Sequence, residues 1–195
     1  LSTPFVVRAG NWKIRAAGGE SLGDIYEPYF NREPGHFCSH QHTPNRPEPS
    51  GYSAGAVGGN AAVLAQSLFA VYACDGAVVL RLFLDKVLRR LLDKEITIES
   101  NLPSTARLTV TRDEINRRIV VHLLYADIVK RGRNVEVIED LPPLYDTELR
   151  LRIPETVRSV TMEPQHDGLS FRQNGGRVET VVPLFRCHQM IVFSF

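Results

Sequence analysis

The sequence contains no long hydrophobic run, which argues against a membrane-spanning helix. Its longest apolar stretch, Ala77–Leu84, is interrupted by Arg81, whereas a span needs about 20 consecutive apolar residues. The first residues, Leu1–Val7, also lack the basic segment and the small-residue cleavage site of a secretory signal. We expect no membrane partner and favour a cytoplasmic location over secretion.

The chain also has no excess of either charge. Its 23 lysine and arginine residues nearly cancel its 22 aspartate and glutamate residues, and the short basic segment Arg131–Arg133 falls in a predicted loop. Because nucleic-acid binding requires a basic stripe or patch, we expect no nucleic-acid partner.

Cysteine is scarce: Cys38, Cys74 and Cys187 are far apart and odd in number. This pattern does not indicate a disulfide framework and favours buried thiols in a reducing compartment. A single Cys38–Cys187 bridge stays open, because sequence does not give the distance between the two residues.

The first half predicts one clear helix and a long loop. The apolar spacing of Leu22–Phe30 predicts a helix of one or two turns, cut short by Pro28. Residues 31–59 are rich in proline and glycine and predict a long loop of the kind that serves a function or an interface. The clearest helix is predicted at Ala77–Leu92. Its apolar face would consist of Val78, Leu82, Val87, Leu88 and Leu91.

From Arg107 onward the pattern changes to short alternating runs separated by turn signals. Asn174-Gly175-Gly176, between two such runs, predicts a hairpin. Seven or eight strands at intervals of about ten residues are typical of an antiparallel β-sandwich. We therefore predict an α+β chain with a boundary near Asn101-Leu102-Pro103 and a β-sandwich at residues 101–195. The predicted strands are Arg107–Thr111, Arg118–Leu124, Val135–Glu139, Thr147–Ile153, Val157–Met162, Leu169–Arg172, Val178–Val182 and Met190–Phe195.

Potential metal ligands alternate in the predicted loop: His36, Cys38, His40 and His42. On an extended segment alternate side chains share a face about 6.6 Å apart, so His40 and His42 could bind one zinc ion while His36 would lie too far away. Zinc sites usually draw ligands from two segments, and the other histidines are scattered. We predict no metal site and no cofactor, with His40 and His42 as weak metal candidates. His122 is interpreted as an interior or interface histidine, because its strand is apolar on both faces.

Catalytic patterns are missing as well. No acid near Cys38 and His40 would orient a Cys–His nucleophile, and Gly51–Gly59 lacks the Lys-Ser/Thr of a phosphate loop. Glycoside hydrolysis requires two acids facing a cleft, whereas the adjacent Glu139 and Asp140 would point in opposite directions on a strand. We predict no catalytic residue in this chain.

Six strings are distinctive as a set, although none is catalytic. They are Glu27-Pro28-Tyr29-Phe30-Asn31-Arg32, His36-Phe37-Cys38-Ser39-His40 with Thr43-Pro44, Leu102-Pro103-Ser104-Thr105-Ala106-Arg107, Val121-His122-Leu123-Leu124, Val137-Ile138-Glu139-Asp140 and Cys187-His188-Gln189-Met190. Together they resemble bacterial glycoside-hydrolase-like proteins related to family 42 β-galactosidases, over about residues 25–195.

The resemblance implies a parent protein of three parts: a catalytic (β/α)8 barrel, an α/β domain similar to a glutamine amidotransferase that mediates trimerisation, and a small β-domain. Residues 1–100 would be the remainder of the trimerisation domain and 101–195 the terminal β-domain. The barrel and its two carboxylates would lie upstream. Two departures leave the substrate open: Gln66-Ser67 stands where the family commonly has His-Pro, and Cys187 where it tends to have glycine.

We therefore predict a non-catalytic accessory and oligomerisation region at the C-terminal end of a glycoside hydrolase. Its partners would be further copies of the chain (a trimer by resemblance), the catalytic barrel and a carbohydrate. The candidates for an interface or substrate loop are Tyr29, Asn31, Arg32, His36, Cys38, His40 and His42.

Two alternatives have different requirements. A carbohydrate-binding β-sandwich needs exposed aromatic residues, but aromatics make up 8% of the chain. Four phenylalanines of the second half are predicted core positions: Phe171, Phe185, Phe193 and Phe195. A zinc-binding domain would use the histidine loop.

Overall fold

The computed structural model describes residues 4–40, 42–92 and 96–195. The chain divides into two compact units, Leu1–Glu95 and Ile96–Phe195, called unit 1 and unit 2 below. Within the described residues no helix is long and apolar enough to cross a membrane. The three cysteines are free thiols. The expectation that they are buried is wrong, because Cys74 is exposed and the other two are half-buried.

Unit 1 contains a small antiparallel sheet followed by two helices. Its elements are β1 (Glu20–Ser21), β2 (Gly55–Gly58), β3 (Ala61–Leu64), α1 (Leu68–Asp75) and α2 (Val78–Leu92). β2 pairs antiparallel with both β1 and β3. Only two residues, Gly59 and Asn60, separate β2 from β3, and so short a turn joins only antiparallel strands. The described part of unit 1 therefore lacks the parallel sheet that an amidotransferase-like α/β domain would have.

The helix predicted for Leu22–Phe30 is wrong. Asp24 forms an antiparallel bridge with Ser53, and Pro28 forms one with Asn45. These pairings require extended backbone, so contacts with residues distant in sequence override the local helical spacing.

The helix predicted at Ala77–Leu92 is confirmed as α2, but of its predicted apolar face only Val87 is buried. Two apolar stripes run along α2, and the sequence does not show which of them meets the core. The buried residues are Leu80, Leu84 and Val87, and the exposed ones are Val78, Leu82, Leu88 and Leu92. Leu68 of α1 completes this small core, with Phe5 and Phe83 packed edge to face beside it.

Unit 2 is an antiparallel β-sandwich, which confirms the predicted fold class. Its strands are β4 (Ile98–Ser100), β5 (Arg107–Asp113), β6 (Arg118–Leu124), β7 (Val129–Arg131), β8 (Val135–Val137), β9 (Leu144–Arg152), β10 (Ser159–Glu163), β11 (Asp167–Gly168), β12 (Phe171–Asn174), β13 (Arg177–Phe185) and β14 (His188–Ser194). One sheet has the strand order β11-β10-β14-β6-β5, the other β12-β13-β9-β4, and β7 pairs with β8 in a separate hairpin.

Alternating inward side chains of both sheets form the core of unit 2. Val121 and Leu123 of β6 are fully buried, as are Leu149 and Leu151 of β9 in the other sheet. Phenylalanines occupy the core as predicted: Phe185, Phe193 and Phe195 are buried, and the half-buried Phe171 packs against them.

The predicted hairpin is confirmed between β12 and β13. Asn174 pairs with Arg177, and the two residues between them, Gly175 and Gly176, have φ angles of 56° and 76°. Positive φ at both central residues is what a type I′ turn requires, and glycine adopts it without a steric cost.

Candidate functional site

Residues 29–44 form a loop whose two ends are tied together. The N–H of Tyr29 donates to the carbonyl of Pro44 at 3.1 Å, and the N–H of Arg46 donates to that of Glu27 at 2.8 Å. A surface loop with adjacent ends is an Ω-loop. All residues from Asn31 to Phe37 are exposed, and the role of this loop at an interface or a substrate cleft stays a prediction.

A tight turn shapes the tip of this loop. Glu33 and His36 exchange backbone hydrogen bonds of 2.9 and 3.0 Å around Pro34 and Gly35. The imidazole of His36 stacks on the ring of Phe30, with centroids 3.8 Å apart and planes inclined by 13°. Stacking of this kind positions His36 as part of the loop structure.

Cys38 lies in the part of the loop that follows the turn at its tip. Its sulfur lies 3.8 Å from the carbonyl oxygen of His40 and 3.6 Å from that of His42. A thiol is a weak donor, and both carbonyl oxygens lie within its reach, so the half-buried sulfur makes local contacts within the loop. This is a structural role and differs from that of a nucleophile, which is activated by an adjacent base.

His40 and His42 of the loop help to line a groove in unit 1 of about 750 Å³, which is within the usual size range of ligand pockets. The groove combines apolar side chains with cationic, amide, imidazole and carboxylate groups. Its lining residues are Val6, Arg8, His40, His42, Pro44, Asn45, Val71, Asp75, Ala77 and Leu80. Asp75 is the one carboxylate among these described residues, so the described lining can hydrogen-bond a polar ligand but does not contain an acid pair.

A second cavity, of about 570 Å³, lies in unit 2. Asp127, Asp140 and Arg186 line it, and Arg186 Nη1 donates to the carbonyl of Leu141 at 3.2 Å. Both aspartates are exposed to solvent. A glycosidase general acid requires a carboxyl group in a desolvated environment, which these two lack.

Glu139 does not act together with its neighbour Asp140. Arg131 Nε donates to Glu139 Oε1 at 2.8 Å across the β7–β8 hairpin, and this hydrogen bond holds the pKa of the Glu139 carboxyl below its usual range. Glu139 is thereby held in an ion pair with Arg131, while Asp140 lines the second cavity.

Comparison with known proteins identifies a similarity to a solved structure. No protein-family model matches the chain, and no curated protein does. Among solved structures, the chain is similar to α-L-fucosidase isoenzyme 2 from Paenibacillus thiaminolyticus, with 37% sequence identity and a TM-score of 0.93. The match covers 98% of this chain and 29% of the fucosidase chain. The chain is similar to part of a glycoside hydrolase and spans less than a third of its length.

The structure brings two of the predicted site residues together, since His40 and His42 both line the groove. Tyr29, Asn31, Arg32, His36 and Cys38 are not among the lining residues. Tyr29 closes the loop through its backbone. Among the described residues, no group of three or more His, Cys, Asp or Glu side chains is arranged to hold a metal ion.

Sequence reasoning missed the wall of the groove that lies far from the loop along the chain. Asp75 ends α1 and is followed by Gly76 in the left-handed region, at a φ of 62°. The Asp75-Gly76 pair is a turn signal and could have marked the junction of the two helices. Nothing in the sequence pattern links Val6 or Arg8 to the histidines of the loop.

Proposed function

We propose that this chain is a non-catalytic accessory region of a glycoside hydrolase and that it forms the C-terminal end of that enzyme. The main support is its similarity to an α-L-fucosidase at 37% identity, over 98% of this chain and only 29% of the fucosidase. A catalytic domain would then occupy another part of the parent protein. The relation to family 42 β-galactosidases belongs to the same proposal and rests on the sequence strings alone.

The chemistry of the two cavities supports a non-catalytic role. Glycosidases of the common mechanisms require two carboxyl groups about 5 to 10 Å apart, one of them desolvated. Among the described residues that line the groove of unit 1, Asp75 is the one carboxylate. The aspartates of the second cavity, Asp127 and Asp140, are both exposed.

Within this accessory region, we assign the Ω-loop and its groove to contact with carbohydrate. His40, His42 and Asn45 supply hydrogen-bonding groups, and Val71 and Leu80 supply an apolar wall. Carbohydrate recognition combines both kinds of surface, because a sugar ring presents hydroxyl groups at its rim and C–H groups on its faces.

A turnover assay tests the proposal. The purified chain is expected to release no aryl alcohol from a broad panel of aryl glycosides that includes α-L-fucosides. The variants Asp75→Asn and Asp127→Asn/Asp140→Asn separate true activity from contamination, because a contaminating glycosidase would be insensitive to them. Hydrolysis that one of these substitutions abolishes would overturn the non-catalytic assignment.

The assignment of the groove has a separate measurement. In NMR titrations of the chain with fucosylated glycans, shifts are expected at His40, His42, Asn45 and Val71 of the groove, and those of Asn45 and Val71 are expected to be lost in His40→Ala/His42→Ala. Saturable shifts confined to unit 2 would instead favour a carbohydrate-binding β-sandwich.

A further inference from the structure

Two histidines distant in sequence meet on the five-stranded sheet of unit 2. His122 of β6 lies opposite Met190 of β14, and His188 of β14 lies opposite Leu124 of β6. The two histidines are therefore diagonal neighbours on one face of the sheet. His122 Nδ1 and His188 Nε2 are 3.1 Å apart, and the rings are nearly parallel, with an interplanar angle of 17°.

This face of the sheet is the outer one. The alternate residues of the same strands, Val121 and Leu123 of β6 and Ile191 of β14, are fully buried in the core. His188 is exposed and His122 is half-buried. Seven registered residue pairs join β6 to β14, so both imidazoles are carried by a rigid support of the kind that precise ligand sites require.

The separation of the two nitrogens matches the bite of one metal ion. Zinc–imidazole bonds are about 2.0–2.1 Å long. Two such bonds to nitrogens 3.1 Å apart enclose an angle of roughly 100°, close to the tetrahedral value. In the present hydrogen bond the two nitrogens point at each other, so metal binding requires both rings to reorient, and the broad minima of histidine χ2 give them room to do so.

We propose that His122 and His188 form a two-histidine site for a divalent transition metal, tying β14 to β6. Imidazole binds zinc, nickel and copper well, with copper bound most tightly of the divalent ions. Because no third His, Cys, Asp or Glu joins the pair among the described residues, solvent completes the coordination. The site belongs to unit 2 and does not depend on the accessory role in a glycoside hydrolase.

The histidine loop of unit 1 is a weaker candidate for the same ion. His40 and His42 line a groove of about 750 Å³, and their carbonyl groups, rather than their rings, contact Cys38. At the His122–His188 pair, by contrast, two ring nitrogens already lie at ligand-to-ligand distance.

The experiment is a calorimetric titration of the tag-free chain with nickel and zinc chloride. It uses a Cys74→Ser background, which removes the exposed thiol, and a pH above the usual histidine pKa of about 6.5. One equivalent of metal is expected to bind. Since loss of an outer-shell partner alone costs about 10- to 100-fold in affinity, His122→Gln and His188→Gln should each weaken binding by at least about tenfold.

Matched variants locate the site. His166→Gln removes another exposed histidine of unit 2, and His40→Gln/His42→Gln removes the loop pair. Both variants are expected to bind the metal as tightly as the Cys74→Ser chain does. Thermal unfolding without metal confirms that each variant folds, and added metal should raise the unfolding temperature of the parent but not of His188→Gln. Absence of metal binding, or binding lost only in the loop variant, would contradict the proposal.

Discussion

Arg112 connects three parts of unit 2 through a single side chain. Its Nε donates to Glu114 Oε1 at 2.6 Å, it forms an ion pair with Glu155, and its guanidinium lies 4.8 Å from the centre of the Phe195 ring. Hydrogen bonding to Glu155 and Glu114 raises the pKa of Arg112. The hydrogen bond between Arg112 and Glu155 is also the main cause that lowers the pKa of the Glu155 carboxyl.

This ion pair predicts a pH dependence of stability. Because the pKa of Glu155 is lower in the folded state, its contribution to the free energy of unfolding is complete above the unfolded pKa of about 4.3 and is lost as the pH falls through the folded value. Glu155→Gln should therefore be less stable than the parent at neutral pH and approach it in acid. The difference should be small, since the pair is partly solvated.

Urea denaturation across this pH range measures the effect, with Glu136→Gln on the exposed β8 as the control. A stability difference for Glu155→Gln that persists unchanged into acid would show that the pair does not operate in this way.

At the level of single residues, the sequence predicts a site only where chemistry-bearing residues are close along the chain. His40 and His42 are predicted together because they are two residues apart, and both line the groove. His122 and His188 are 66 residues apart, and their contact depends on the register between β6 and β14. That register is set by hydrophobic pattern and turns throughout the sandwich and does not show at the two histidines themselves.

Among the elements, α2 shows that a helix can be predicted correctly while the side that it buries is not. Its two apolar stripes both have helical spacing, and packing against Leu68, Phe5 and Val7 selects the one that contains Leu80. Leu80 is 2% exposed and Leu82 is 43% exposed.

A matched pair of substitutions tests the observed face. Leu80→Ala is expected to lower the free energy of unfolding by about 2–5 kcal/mol through loss of burial and cavity formation. Leu82→Ala should change it by no more than about 0.5 kcal/mol, since leucine and alanine have similar helix propensities. Chemical denaturation at a low protein concentration, where self-association is negligible, measures both. A larger loss of stability for Leu82→Ala than for Leu80→Ala would show that the face predicted from sequence is the buried one.

The elements predicted correctly are those whose local signals agree with their packing. The β12–β13 hairpin has both its turn chemistry and its alternation, and the run Arg118–Leu124 coincides with β6. Leu22–Phe30 had an apolar spacing alone, and its pairing with residues 45 and 53 is a long-range feature that a local pattern does not contain.

For the molecule as a whole, the helices of unit 1 expose several large apolar side chains. They are Phe69 of α1 and Val78, Leu82, Leu88 and Leu92 of α2. The four on α2 fall on one side of the helix at 3.6 residues per turn, and contiguous apolar surface marks interaction sites. We propose that it contributes to self-association, as the predicted homo-oligomer requires.

Light scattering coupled to gel filtration tests this proposal. The chain is expected to elute as an oligomer, with a trimer as the predicted state, and Leu82→Glu/Leu88→Glu is expected to shift it to the monomer by placing charge on the apolar stripe. Lys86→Glu, also exposed on α2, changes the charge outside the stripe and should leave the mass unchanged. A monomeric unsubstituted chain, or an oligomer unaffected by the double substitution, would contradict the proposal.

The central claim, that the chain is an accessory part of a larger glycoside hydrolase, is tested most directly by the coding sequence upstream of Leu1. The account predicts that the same reading frame encodes a (β/α)8 barrel there, with two carboxylates at the C-terminal ends of its strands, where such barrels carry their catalytic residues. A reading frame that contains no catalytic domain outside these 195 residues would contradict it.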